Sequence, residues 1–198
     1  MKGESPEVSG GFTLRFDDRG AITIQYHFEY KGPEITPREI GLLFTVPRAC
    51  DRLQWKRKAL WSFYPEGHIG RPEGEARPFR DPVHWPTLKV GQPPVWPWEL
   101  DSTGRGTRDF RSTKYDIYRA ALLADEGAGV QVVSGGTLNV RAWVADEGVN
   151  LLVSPFSISR SVPFDRGFYP ILEHKLRKGD VLEGMLQLQL VRHGSPHD

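Results

Sequence analysis

Residues 12–30 read FTLRFDDRGAITIQYHFEY. Phe12, Leu14 and Phe16 alternate with Thr13 and Arg15, Asp17-Asp18-Arg19-Gly20 supplies turn chemistry, and Ile22, Ile24, Tyr26 and Phe28 then alternate with polar neighbours. A period of two on both sides of a turn predicts a β-hairpin with one buried face. His27 falls on the polar side and reads as a solvated strand residue. The same grammar recurs along the chain. After Lys31-Gly32-Pro33, residues 38–46 (REIGLLFTV) make a strand that closes at Pro47, and DRLQW begins another. YDIYRAALLAD from Tyr115, GVQVVSG after the turn at Asp125-Glu126-Gly127, LNVRAWVAD with Leu138, Val140, Ala142 and Val144 on one face, and VNLLVSPF follow. YPILEHKLRKGDVLEGMLQLQLV reads as a closing hairpin that turns at Lys178-Gly179-Asp180 and carries Met185, Leu186, Leu188 and Leu190 on its last strand. Strands at roughly ten-residue spacing, with no convincing long helix, predict an all-β fold, a large antiparallel two-sheet sandwich.

The 198 residues fit one domain of this kind over 12–192. The opening MKGESPEVSG is polar and contains Gly, Pro and Ser, so 1–11 reads as a linker at a domain boundary of a longer chain, and 193–198 as a tail. The 26 basic residues against 25 acidic ones, a net charge of +1, argue against a nucleic-acid partner, which would ask for a basic excess. No run approaches the roughly 18 apolar residues a membrane helix needs, so no membrane partner is expected. Cys50, the single cysteine, reads as a small buried apolar residue and excludes both an intramolecular disulfide and a cysteine-based metal site.

Two stretches break the alternation. WKRKALWSFYPEGHIGR, from Trp55 to Arg71, mixes ring faces that stack on sugars or bases with donors for hydroxyls or phosphates. An equally physical reading makes Trp55, Trp61 and Tyr64 core aromatics. The second stretch is a Pro/Trp-rich insertion at about 72–112, where Pro72, Pro78, Pro82, Pro86, Pro93, Pro94 and Pro97 exclude central strands and long helices. Trp85, Trp96 and Trp98 sit within it and call for cover from the body or from a neighbouring domain.

Catalytic signatures are weak. The acidic pairs Asp17-Asp18, Asp125-Glu126 and Asp146-Glu147 all lie in turns, where such residues are common for backbone reasons. The six histidines show no metal-like pairing, and no G-x-S-x-G elbow or phosphate-binding glycine loop is present; Gly104-Arg105-Gly106 lacks the helix that would follow one. No cofactor or metal is expected.

Read together, TLRFDDRGAITIQYHFEYKGPEITPREIGLLFTVPRACDRLQW, Tyr64-Pro65, RSTKYDIYRAALLADEGAGVQVVSG, DRGFYP and HKLRKGD…QLQLV resemble, in order, the C-terminal domain of family 2 glycoside hydrolases of the β-galactosidase type. The resemblance implies a galactose mutarotase-like antiparallel supersandwich that follows a catalytic barrel. It implies that the catalytic glutamates lie in that barrel, and that this domain is non-catalytic and lends an aromatic wall to the site of a galactoside-like carbohydrate. By position the wall falls to Phe168 or Tyr169 in DRGFYP, where the family has Trp. The family pattern W-x-G-x-G-P-x-E-x-Y keeps Trp55 and Tyr64, while Arg57, Ala59, Leu60 and Ser62 replace the two Gly, the Pro and the Glu. Trp55 and Tyr64 thereby read as scaffold, with Glu66, His68 and Arg71 as the segment's contact end. Two alternatives stay open. One is a stand-alone carbohydrate-binding module using Trp61, Tyr64, Trp85, Trp96 and Trp98. The other is an aldose-epimerase-like enzyme pairing His68 with Glu66 or Glu73, or His174 with Glu173.

Overall fold

The computed structural model describes residues 2–4, 7–37, 39–58, 71–76, 113–157 and 174–192. These form ten strands and, among the described residues, no helix: β1 (Lys2–Glu4), β2 (Val8–Phe16), β3 (Ala21–Tyr30), β4 (Glu39–Val46), β5 (Arg52–Arg57), β6 (Glu73–Ala76), β7 (Lys114–Leu123), β8 (Gly129–Ala145), β9 (Gly148–Ser157) and β10 (Val181–Val191). Every strand pairing is antiparallel. The main path runs β1-β2-β3-β10-β8-β7-β5-β6, and β9 and β4 branch from β8.

The β2–β3 hairpin forms in the expected register, with Phe12 opposite Tyr26, Leu14 opposite Ile24 and Phe16 opposite Ile22. Its turn is held by Asp17, whose Oδ1 accepts the N–H groups of Arg19 (2.9 Å) and Ala21 (2.7 Å). That carboxylate is committed to turn geometry. His27 is exposed, as expected, and meets Glu183 at 3.2 Å on the adjacent strand.

Strand β8 decides the architecture. GVQVVSG and LNVRAWVAD, read as separate strands, are one 17-residue element interrupted in its middle. Arg119 pairs with Val133 and Ile117 with Leu138, so Ser134, Gly135, Gly136 and Thr137 face only Tyr118 across the ladder. The bulge is closed by Ser134 Oγ, which accepts the N–H groups of Thr137 and Leu138, and by Gly136 at φ 85°. Opposite it Asp116 takes φ 52° and donates its N–H to Asn139 Oδ1 at 3.2 Å. Before the bulge β8 lies beside β10; after it, beside β9. A strand bent at a bulge passes from one layer to the other. Both layers feed one core: Ile24, Leu186 and Leu188 from the first, Val149, Leu151 and Val153 from the second, with Leu53, Trp55, Ile117, Leu122, Val132 and Val140 between them. The expected all-β antiparallel sandwich is therefore present, with its two layers hydrogen-bonded through β8. Because an L side chain at φ 85° is strained, Gly136→Ala is expected to lower stability by about 1–2 kcal/mol. Urea unfolding of that variant checks it; no change in midpoint would remove the bulge from its structural role.

Several expectations are corrected. Residues 1–11 are not simply a linker, since β1 and the start of β2 lie there, Val8 to Gly11 pairing with Tyr30 to His27. Backbone pairing needs no apolar alternation, so VSGG concealed it. Part of the Pro-rich insertion forms the short strand β6, which ends the main path at β5, where proline-flanked strands are tolerated. Within the described residues, 174–177 do not pair with β10 as the first arm of a closing hairpin. Its turn is present, with Asp180 N–H donating to Arg177 O, but Leu176 bridges Ile35 and β10 pairs with β3 and β8. Phe16, on the apolar side of its hairpin arm, is exposed, as are Met185 and Leu190 of the last strand, whereas Leu186 and Leu188 are buried. Cys50 is buried as expected, and burial pushes its thiol up from the usual value.

Candidate functional site

Trp55 is placed by the alternation of β5. Leu53 and Trp55 face inward, and Gln54 and Lys56 face away. The indole is 3% exposed and sits in a row between Ala120 of β7 and Gly74 of β6. Small neighbours are required there, because a Cβ at Gly74 would meet Trp55 Cζ2 at 2.7 Å. Trp55 Nε1–H donates to the carbonyl of Arg71 at 3.0 Å, and Arg57 Nε–H donates to the same oxygen at 3.1 Å. The Arg57 N–H reaches Pro72 O, and the Lys58 N–H reaches Asp116 O, each at 2.8 Å. The connection between β5 and β6 is thus tied shut at its base. Lys114 lies over the Trp55 ring, its Nζ 4.4 Å from the centroid, and is itself buried. A buried ammonium needs compensation, and the indole face supplies part of it.

A second tie closes the connection between β9 and β10. The Phe156 and His174 rings meet at 5.1 Å and 42°. Just beyond, Leu176 bridges Ile35, and Glu34 pairs with Arg177 (2.8 Å) and Lys175 (3.7 Å). The hydrogen bond from Arg177, aided by the charges of Lys175 and Arg177, holds the Glu34 carboxyl below its usual range.

Of the expected contact residues, Arg71 is described, half-buried, with its backbone carbonyl engaged by Trp55 and Arg57. Tyr64, Glu66 and His68 fall between β5 and β6, Trp96 and Trp98 between β6 and β7, and Phe168 and Tyr169 between β9 and β10; all seven lie outside the described residues, as do Trp61, Trp85 and Glu173. Glu73 is exposed and pairs with Lys56 at 2.9 Å, a bond that lowers its carboxyl below the usual range. Asp125, Glu126, Asp146 and Glu147 are exposed in turns. Among the described residues no group of three or more His, Cys, Asp or Glu side chains could hold a metal ion.

Sequence reasoning missed Lys114, whose polar neighbours Thr113 and Tyr115 give no sign of burial. It also missed a second aromatic–cation group on β8. Arg141 Cζ lies 4.3 Å from the centre of the Trp143 ring, and Glu39 grips the same guanidinium at both ends, Oε1 to Nε at 3.1 Å and Oε2 to Nη2 at 2.6 Å. The available signal was Trp143 on the polar side of LNVRAWVAD, opposite the alternating Val140, Ala142 and Val144.

Fold and site together define an all-β antiparallel sandwich in which two of the candidate-bearing connections, β5–β6 and β9–β10, are tied at their bases by an indole and by a ring pair. No protein-family model matches the chain, and no curated protein matches it. Among solved structures it is similar to a galactose mutarotase-related enzyme from Lactobacillus acidophilus, at 7% identity over 96% of this chain and 70% of that one, with a TM-score of 0.30.

Proposed function

We infer that this chain is a non-catalytic, carbohydrate-engaging β-sandwich domain of a family 2 glycoside hydrolase of the β-galactosidase type, supporting a catalytic barrel and supplying an aromatic wall to its sugar site. The observation that supports this reading is the burial of Trp55 and its hydrogen bond to Arg71 O. The sequence resemblance assigns Trp55 a scaffold role, and a buried indole that anchors the next strand's entry serves that role. The acidic pairs agree with it, since Asp17 is spent on its own turn and the others are exposed turn residues. In the proposed arrangement the wall is Phe168 or Tyr169, and Glu66, His68 and Arg71 reach toward the same ligand. An aromatic face contributes through stacking on the apolar side of the sugar ring.

The test uses the full-length hydrolase that this reading requires. Replacing the stacking residue of the Phe168-Tyr169 pair with Ala is expected to raise KM for a nitrophenyl β-galactoside by about tenfold, with kcat changed much less. An unchanged KM in both single variants and in the double variant would remove the wall from the account.

A further inference from the structure

The Lys56-Arg57-Lys58 run at the end of β5 and the irregular stretch of β7 beside it are not used by the proposed wall. Lys56 lies opposite Arg119 and Arg57 opposite Ile117, so Tyr118 is an extra residue on β7; on its other side it meets the bulge of Ser134 to Thr137. Ile117 and Ala120 point into the core at 0% exposure, whereas Tyr118 is 41% exposed. An extra residue in one strand re-aims a side chain, and here it turns Tyr118 out to solvent. Beside it runs the row Glu73, Lys56, Arg119 and Val133, in which Glu73, Lys56 and Val133 are exposed.

Three features make this an open and prepared surface. The ring is braced, since a Cβ at Gly136 would meet Tyr118 Cε1 at 3.1 Å, while a Cβ at Gly135 would meet nothing within 4 Å. The backbone holds this arrangement at a cost, with Asp116 at φ 52° and Gly136 at φ 85°. Hydroxyls are available: that of Tyr118 has no hydrogen-bond partner among the described residues, and Ser134 Oγ accepts two N–H groups, which leaves its own hydrogen to donate. Cations are available too. Exposed Lys58 is placed by its N–H bond to Asp116 O at 2.8 Å, and neither its side chain nor that of Arg119 makes an ion pair among the described residues. The carboxylates alongside are Glu73, which Lys56 engages at 2.9 Å, and the half-buried Asp116. An open ring, hydroxyl donors and two cations free of ion pairs are complementary to a hydroxylated ring that carries negative charge. An acidic peptide would use the cations and leave the ring idle. A nucleic-acid strand would need a basic track, which a chain of net charge +1 does not offer.

We propose that the β7 bulge, with Tyr118 as the stacking ring and Lys58 and Arg119 as the charge-pairing groups, is a binding surface for an acidic saccharide, one whose sugar rings carry carboxylate or sulfate groups. The ring takes the apolar side of one sugar, the two cations take its anionic substituent, and the Tyr118 and Ser134 hydroxyls meet its hydroxyl groups. This surface goes beyond the proposed function and does not depend on it, since none of its residues belongs to the wall at Phe168 and Tyr169.

The experiment is calorimetric titration of the 198-residue chain at low ionic strength, where exposed charges are least screened, with tetragalacturonate, with a sulfated galactose tetrasaccharide and with neutral cellotetraose. The expected result is saturable binding of at least one acidic sugar that cellotetraose does not displace; which of the two binds tells carboxylate from sulfate. Tyr118→Ala is expected to weaken that binding about tenfold, and Lys58→Gln and Arg119→Gln severalfold each. Lys58→Gln alters an exposed side chain outside the bulge, so it reads the charge contact even if Tyr118→Ala disturbs the strand. Three results would overturn the proposal: no binding of either acidic sugar, binding that Lys58→Gln and a folded Tyr118→Ala both leave at wild-type affinity, and displacement of the sugar by a polyglutamate peptide of equal affinity, which would reduce the surface to its charges. Each of these leaves the proposed wall untouched.

Discussion

Trp55→Ala lowers the stability of the chain by about 3–5 kcal/mol, the range for truncating a fully buried large aromatic. Three losses combine. The side chain is 3% exposed and packs in the shared core, its Nε1–H holds the Arg71 carbonyl, and its ring lies beneath the buried ammonium of Lys114. The cavity would open where β5, β6 and β7 meet, so the short β6 should detach first. Trp55→Phe retains a ring under Lys114 and loses the N–H, and is expected to cost about 1–2 kcal/mol. Urea unfolding read by circular dichroism measures both. An Ala variant within about 1 kcal/mol of the parent would mean that the tie at Arg71 is incidental.

The second large effect lies at Glu39. Its carboxylate grips Arg141 at 2.6 and 3.1 Å in a setting where the two side chains are 15% and 12% exposed. Glu39→Gln leaves a mostly buried guanidinium short of its counter-charge, and a loss of about 2–3 kcal/mol is expected. Replacing both partners by apolar residues, Glu39→Leu with Arg141→Met, should recover most of that loss, because no charge is then left stranded. A double-mutant cycle separates the two outcomes. If the double variant is less stable than either single one, the pair acts mainly through packing of its aliphatic stems.

Much of the fold could be read from residues 12–30, because a half-buried antiparallel sheet writes its geometry as a period of two. Phe12, Leu14, Ile22 and Ile24 pair across the hairpin as the alternation requires. The same period could not show where a face ends. Phe16 and Leu190 obey the alternation and are nonetheless exposed, since a sheet's apolar row can run past the core it covers. Strand continuity was also hidden. The Ser134-Gly135-Gly136 break reads as a loop, although the backbone on both sides remains in one ladder. Partner choice was less legible still, as nothing within Lys178-Gly179-Asp180 says that β10 will bond to β3 and β8.

The site was legible only in part. Trp55 as a core aromatic, one of the two readings of its segment, agrees with its burial. Lys114 and the Glu39–Arg141 pair come from long-range packing, the latter across 102 positions of sequence, and local pattern cannot encode such a contact. Trp143 was within reach. Its place on the polar side of an alternating strand marks it out, and the structure shows it half-buried beside Arg141.

The central claim is that this domain engages carbohydrate without cleaving it. The most direct measurement is the rate of nitrophenyl β-galactoside hydrolysis by the purified 198-residue chain, alongside a buffer blank. The account predicts no rate above the blank. Turnover by the chain that a single substitution among its own carboxylates or histidines abolishes would contradict it.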